Sequence, residues 1–124
     1  MRISWSLFLA CAALLHVGCS ASAKQAANAM TNGDADRGAS AIANYGCGSC
    51  HTIRGISGAN ALVGPDLSRV GSRIYIAGSL DNQPVNMIQW LQDPHAINPK
   101  TVMPTMGVTE RDARDIAAYL YSLK

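Results

Sequence analysis

Cys47-Gly48-Ser49-Cys50-His51 is the stretch on which the reading of this chain turns. Two thiols stand three positions apart and a histidine follows at once. Cys-x-x-Cys-His is the attachment signature of a c-type haem. Each thiol can add across one porphyrin vinyl group as a thioether, and the histidine is then held under the iron as an axial ligand. A thioredoxin-like Cys-x-x-Cys pair would need a strand before the motif and a βαβ pattern, and neither is present. Half a zinc site would need a second cluster of ligands. Outside the motif the cysteines are Cys11 and Cys19, both in an N-terminal leader.

The second axial ligand has to come from far along the chain. The candidates are Met30, Met87, Met103, Met106 and His95. Met30 lies in a leader, Met87 falls on the core face of a helix, and His95 sits between a helix end and a proline-rich loop. Met103 precedes Pro104 in a loop stiffened by Pro94, Pro99 and Pro104. A thioether is a weak ligand and cannot order a floppy loop, so a stiff one suits it. Met103 is the expected ligand and Met106 the alternative. His/Met ligation raises the reduction potential and leaves no open position on iron, which suits electron carriage better than substrate activation. The other nitrogen of His51 should donate to a backbone carbonyl, with Pro65 the best candidate. Arg73, Tyr75 and Trp90 are candidates to hydrogen-bond the haem propionates.

The chain of 124 residues suits one domain. Its start reads as a secretory leader: Arg2, then an apolar run from Ile3 to Val17 too short to span a bilayer well. Two cleavage points compete. Ala21-Ser22-Ala23 resembles a signal-peptidase site, which makes 1–23 the signal peptide. Gly18-Cys19 resembles an imperfect lipobox, which makes 1–18 a lipoprotein signal and Cys19 a lipid anchor. Either way the expected location is the bacterial periplasm, soluble or lipid-anchored. Residues 24–32 are small and polar and read as a flexible leader, leaving 33–124 as the haem domain. The formal charge of +2 falls by one when Arg2 leaves, and no basic run suggests a nucleic-acid partner. A monomer is expected.

Three main helices are predicted. The first starts near the N-cap Asp34, carries Ala35, Gly38, Ile42 and Tyr45 on one face, and ends at Gly46. Gly38 should let another helix approach closely. One helical turn is expected near Val70, and irregular chain or a short turn around Ile74-Tyr75-Ile76. Pro84 suits the first position of a middle helix with Met87, Ile88 and Leu91 on its face, stopped at Asp93-Pro94. The segment after it, with its three prolines, is expected to be extended. The last helix is capped by Thr109, with Ala113, Ile116, Leu120 and Leu123 in line, and should cross the first at Gly38.

The chain resembles a class I monohaem cytochrome c: a Gly-bearing first helix, Cys-x-x-Cys-His, Gly-Pro, Met-Pro, then a helix ending Ala118-Tyr119-Leu120. The run from Gly64-Pro65-Asp66-Leu67 to Arg73, with Ile76-Ala77-Gly78, Trp90, Asp93-Pro94 and Met103-Pro104, is similar to the cytochrome c domain of subunit II of bacterial haem-copper oxidases. The resemblance implies a small all-α fold wrapped around one covalent haem c. It implies Cys47 and Cys50 as anchors, His51 and Met103 as ligands, and Pro65 as the partner of His51. It also implies electron flow towards a terminal oxidase.

The expected function is one-electron transfer outside the cytoplasm, without catalysis by the domain itself. The redox partners are a terminal oxidase and an upstream cytochrome or dehydrogenase. Arg54, Arg69, Arg73 and Lys100 could ring the exposed edge and steer docking, although Asp66, Asp81 and Asp93 lie among them. The alternatives are a haem enzyme or gas sensor with a displaceable distal Met, and a bound cytochrome subunit of a dehydrogenase or oxidase.

Overall fold

The structure, a computed structural model, describes residues 21–124. Residues 1–20 lie outside the described residues, and with them most of the stretch read as a secretory leader, including Cys19.

Helix α2, Ala35–Asn44, starts where Asp34 accepts a hydrogen bond from the Arg37 amide at 2.8 Å. Such a cap satisfies one of the amides that a helix start leaves without a partner. Helix α5, Glu110–Ser122, is capped in the same way by Thr109, whose hydroxyl accepts from the Asp112 amide. The two helices cross at Gly38. A Cβ there would sit 2.0 Å from the Asp115 carbonyl oxygen, so only glycine lets the backbones come this close. Ile42, Ala113, Ile116 and Ala117 fill the crossing. Helix α3, Pro84–Gln92, has Pro84 in its first turn and lays Met87, Ile88 and Leu91 into the core against α5. These are the three main helices of the expected all-α fold.

Three segments differ from the sequence expectations. Residues 24–32, read as a flexible leader, belong mostly to a helix, α1, over 21–31. Ala27 and Thr31 are buried, Asn28 Oδ1 accepts from the Ala35 amide, and Arg114 donates to the Thr31 carbonyl. Alanine has the highest helix propensity, and its small side chain packs closely without an obvious apolar stripe. Pro94–Ile97, expected to be extended, forms one helical turn, α4, whose cap Asp93 accepts from the Ala96 amide. Proline ends α3, yet its φ also suits the first position of a new helix. Around Ile74-Tyr75-Ile76 the chain makes a small antiparallel hairpin. Strand β1, Tyr75–Ile76, pairs with β2, Leu80–Asp81, through a turn with Ala77 and Gly78 at positive φ. The helical turn expected near Val70 is a 3-10 turn over Val70–Ser72.

Candidate functional site

Gly46, at φ +72°, turns the chain out of α2 into a tight 3-10 turn, Cys47–Ser49. The Cys50 and His51 amides both donate to the Cys47 carbonyl, so the motif is wound on itself. A Cβ at Gly48 would meet Ala59 at 2.9 Å. The small residue between the cysteines therefore lets the following loop pass. Cys47 and Cys50 are free, half-buried thiols, and burial pushes the Cys47 thiol up.

His51 is fixed from one side by Gly64-Pro65. Its Nδ1 lies 2.8 Å from the Pro65 carbonyl oxygen. A carbonyl only accepts, so Nδ1 carries the proton and Nε2 keeps its lone pair. The Gly64 amide donates to the Cys50 carbonyl at 2.7 Å, pulling this segment against the motif. A Cβ on Gly64 would stand 2.4 Å from His51 Cε1, so the backbone itself presses on the ring.

The motif opens onto a cavity of about 830 Å³, in the size range of cofactor sites. Cys47, Cys50, His51, Pro65, Arg73, Tyr75, Trp90, Met103 and Met106 all line it, whereas the other candidate ligands, Met30, Met87 and His95, do not. Trp90 reaches the cavity from α3 while its neighbours Met87, Ile88 and Leu91 are buried in the core. Met103 is half-buried and Met106 is 41% exposed. Arg73 donates to the Asp66 carbonyl. Of the four cations expected to ring the edge, only Arg73 is on the cavity wall. Arg54 instead donates to the Lys124 carbonyl.

Some wall residues were not singled out from sequence. Tyr45, placed on the core face of α2, lines the cavity and donates its hydroxyl to Asp112 at 2.8 Å. Asn98 and Thr101 shape the methionine loop. The Thr101 amide donates to the Asn98 carbonyl, and the Thr101 hydroxyl accepts from the Met103 amide at 3.2 Å. The signal was there in Asn98-Pro99-Lys100-Thr101, since Asn and Thr side chains readily bond nearby amides. Asn82 is the clamp of the hairpin wall. Its Nδ2 donates to the Val70 and Arg73 carbonyls and its Oδ1 accepts from Tyr121 in α5. No local pattern marks that link, because its partners are scattered along the chain.

The donor set is two thiols, one imidazole with a free Nε2, and two thioethers around an apolar hollow. That chemistry fits a flat, largely apolar macrocycle carrying a transition metal. A sequence model described as Cytochrome c matches residues 35–124. Two curated relatives are both called cytochrome c oxidase subunit 2. The one from Alkalihalophilus pseudofirmus is 33% identical over 91 residues, covering 73% of this chain and 26% of the relative. The one from Bacillus sp. (strain PS3) is 35% identical over 88 residues, covering 68% and 25%. The chain thus spans about a quarter of the length of these relatives. No solved structure matches it.

Proposed function

The chain belongs to the cytochrome c family and is a haem c electron carrier; on that premise we propose that it works outside the cytoplasm, with His51 and Met103 as axial ligands, and passes electrons towards a terminal oxidase. One observation carries the ligand set: His51, with its Nδ1 proton committed to Pro65, shares a single apolar cavity with both thiols and Met103. Haem, when bound, supplies a one-electron couple between Fe(III) and Fe(II). Cys47 and Cys50 would hold it through thioethers. The Pro65 carbonyl keeps the His51 ring oriented and makes it a better donor. Thr101 and Pro104 stiffen the chain on either side of Met103. Arg73, Tyr75 and Trp90 stand on the same wall and would serve the propionates.

The oxidase assignment is supported by the two relatives, and placement outside the cytoplasm by the apolar leader before residue 24. No helix of the described residues is long and apolar enough to cross a membrane. A second reading, a cytochrome subunit held within a larger complex, has its own support. In both relatives the matched stretch is about a quarter of a longer chain.

Replacing each methionine in the holoprotein tests the ligand set. Met103→Ala should abolish the sulfur-to-iron charge-transfer absorption. It should also lower the midpoint potential by on the order of 0.1 V or more, within the ~0.8 V that axial ligands span. Met106→Ala should leave both nearly unchanged. The reverse pattern would make Met106 the ligand, and no change in either variant would remove thioether ligation from the account.

A further inference from the structure

We propose that Asn82, which does not itself line the cavity, is a positioning residue for Arg73 and through it helps set the midpoint potential of the holoprotein. The proposal rests on the electron-carrier reading and names a residue that tunes the carrier.

Of the Lys, Arg, Asp and Glu side chains, Arg73 alone lines the cavity. Its guanidinium donates to the Asp66 backbone carbonyl, while the Asp66 carboxylate accepts from the Ser68 amide. Among the described residues, no carboxylate forms an ion pair with Arg73. Its positive charge is therefore not cancelled by a direct partner at the cavity edge. A cation there favours Fe(II), which carries one positive charge less than Fe(III).

The place of that charge depends on the chain that carries it, and Asn82 holds that chain. The Asn82 backbone amide donates to the Ile74 carbonyl at 2.9 Å. Its side-chain Nδ2 donates to the Arg73 carbonyl at 2.8 Å and to the Val70 carbonyl at 2.9 Å. Carbonyls only accept, so both amide protons are spent, and Oδ1 is left to accept from the Tyr121 hydroxyl at 2.8 Å. One residue thus closes the base of the segment 73–82 and fastens it to α5. Arg73, Tyr75, Ile76, Ala77 and Gly78 of that segment line the cavity. The hairpin ladder has only two residue pairs, Tyr75 with Asp81 and Ile76 with Leu80. A hairpin that short is marginal by itself, so the Asn82 bonds supply what the ladder lacks. The turn Val70–Ser72, which leads into Arg73, is seated on the same end of α5. There the Gly71 amide donates to the Leu123 carbonyl, and a Cβ at Gly71 would meet the Tyr121 carbonyl at 2.7 Å.

Midpoint potentials of the holoprotein test the proposal. Arg73→Gln should move the Fe(III)/Fe(II) equilibrium about tenfold towards Fe(III), the scale of one unit charge near a protein surface and about 59 mV for one electron. Asn82→Ala should move it the same way by about threefold, because the guanidinium is no longer held in place. In the Arg73→Gln background Asn82→Ala should add almost nothing, since the group it positions is gone. Thr31→Ala removes a buried bond to the Ala27 carbonyl beside a different hollow. It should lower the unfolding midpoint and leave the potential unmoved. Should Asn82→Ala yield no holoprotein, Asn82→Ser carries the test. Its one hydroxyl proton can serve one carbonyl but not both, and the shift should have the same sign. An unmoved potential in the Asn82 variant, an equal Asn82 effect with and without Arg73, or an equal shift in Thr31→Ala would each overturn the proposal. So would an unmoved potential in Arg73→Gln. If ascorbate and ferricyanide do not cycle the wild-type haem reversibly, the carrier reading fails and takes this proposal with it. Reversible cycling with unmoved potentials overturns the positioning role alone.

Discussion

Arg37 and Asp115 lock the crossing of α2 and α5 through two parallel hydrogen bonds. Nε donates to Oδ2 and Nη2 to Oδ1, each at 2.8 Å. The Asp115 carboxylate is almost wholly buried and also accepts from the Asp34 amide at 2.7 Å. One side chain therefore ties the N-terminal start of α2 to the middle of α5, beside the contact that Gly38 makes possible. The placement of the haem motif depends on that crossing, because Cys47 follows α2 directly.

The Asp115 link makes stability depend on acid. Burial pushes its carboxyl up, but the bonds from Arg37 and the Asp34 amide outweigh burial and hold it below the ordinary aspartate value. A lowered folded value means the contribution is present above about pH 4, the unfolded range, and is lost as pH falls through the folded value. Asp115→Asn should destabilise the fold at neutral pH by roughly 1–2 kcal/mol, because a buried carboxylate loses its charge-assisted bonds while solvent around the half-exposed Arg37 screens part of the effect. Denaturant titrations of wild type and variant at pH 7 and in acid should show that gap narrowing as pH drops. A gap that stays constant would contradict the assignment.

Gly64 bears on the His51 ring. An added Cβ would press on His51 Cε1 from 2.4 Å, and the segment cannot retreat without releasing the Pro65 bond to Nδ1. Gly64→Ala should therefore destabilise the holoprotein by about 1–3 kcal/mol, the usual range for overpacking. It should also shift the midpoint potential, since the bond that tunes His51 is disturbed. Voltammetry and thermal unfolding check both. A stable variant with an unchanged potential would show that the ring is not held by this segment.

Tyr121 bears on the hairpin wall. Its hydroxyl donates to Asn82 Oδ1 at 2.8 Å, and burial pushes its phenol up to about 12. The raised value means the contribution is intact below pH ~10, the unfolded range, and is lost as pH climbs through the folded value. Tyr121→Phe should cost about 1 kcal/mol, the net worth of one hydrogen bond. It should also flatten part of the alkaline loss of stability. Ultraviolet titration of the tyrosines, compared between wild type and variant, identifies the late-ionising phenol. If the missing phenol titrates near pH 10, the network is weaker than the structure implies.

Local chemistry was legible in the chain itself. Cys47, Cys50 and His51 announce their role through fixed offsets. Asp34, Thr109 and Pro84 mark helix starts because capping and proline geometry act over a few residues. Pro65 could be named as the partner of His51 from bonding chemistry, and the carbonyl lies where that chemistry needs it. Alanine-rich α1 carries no such local mark, because its contacts are with Arg114 and Ala35, distant from or outside the segment. The same holds for Asn82, whose partners Val70, Arg73 and Tyr121 no periodicity connects. The cavity, too, exists only because folding brings the segment after His51, the hairpin and the methionine loop side by side. Spacing encodes what covalent offsets and single turns can enforce, whereas contacts between remote segments depend on how the helices pack, and packing is settled only when the whole chain has closed around its core.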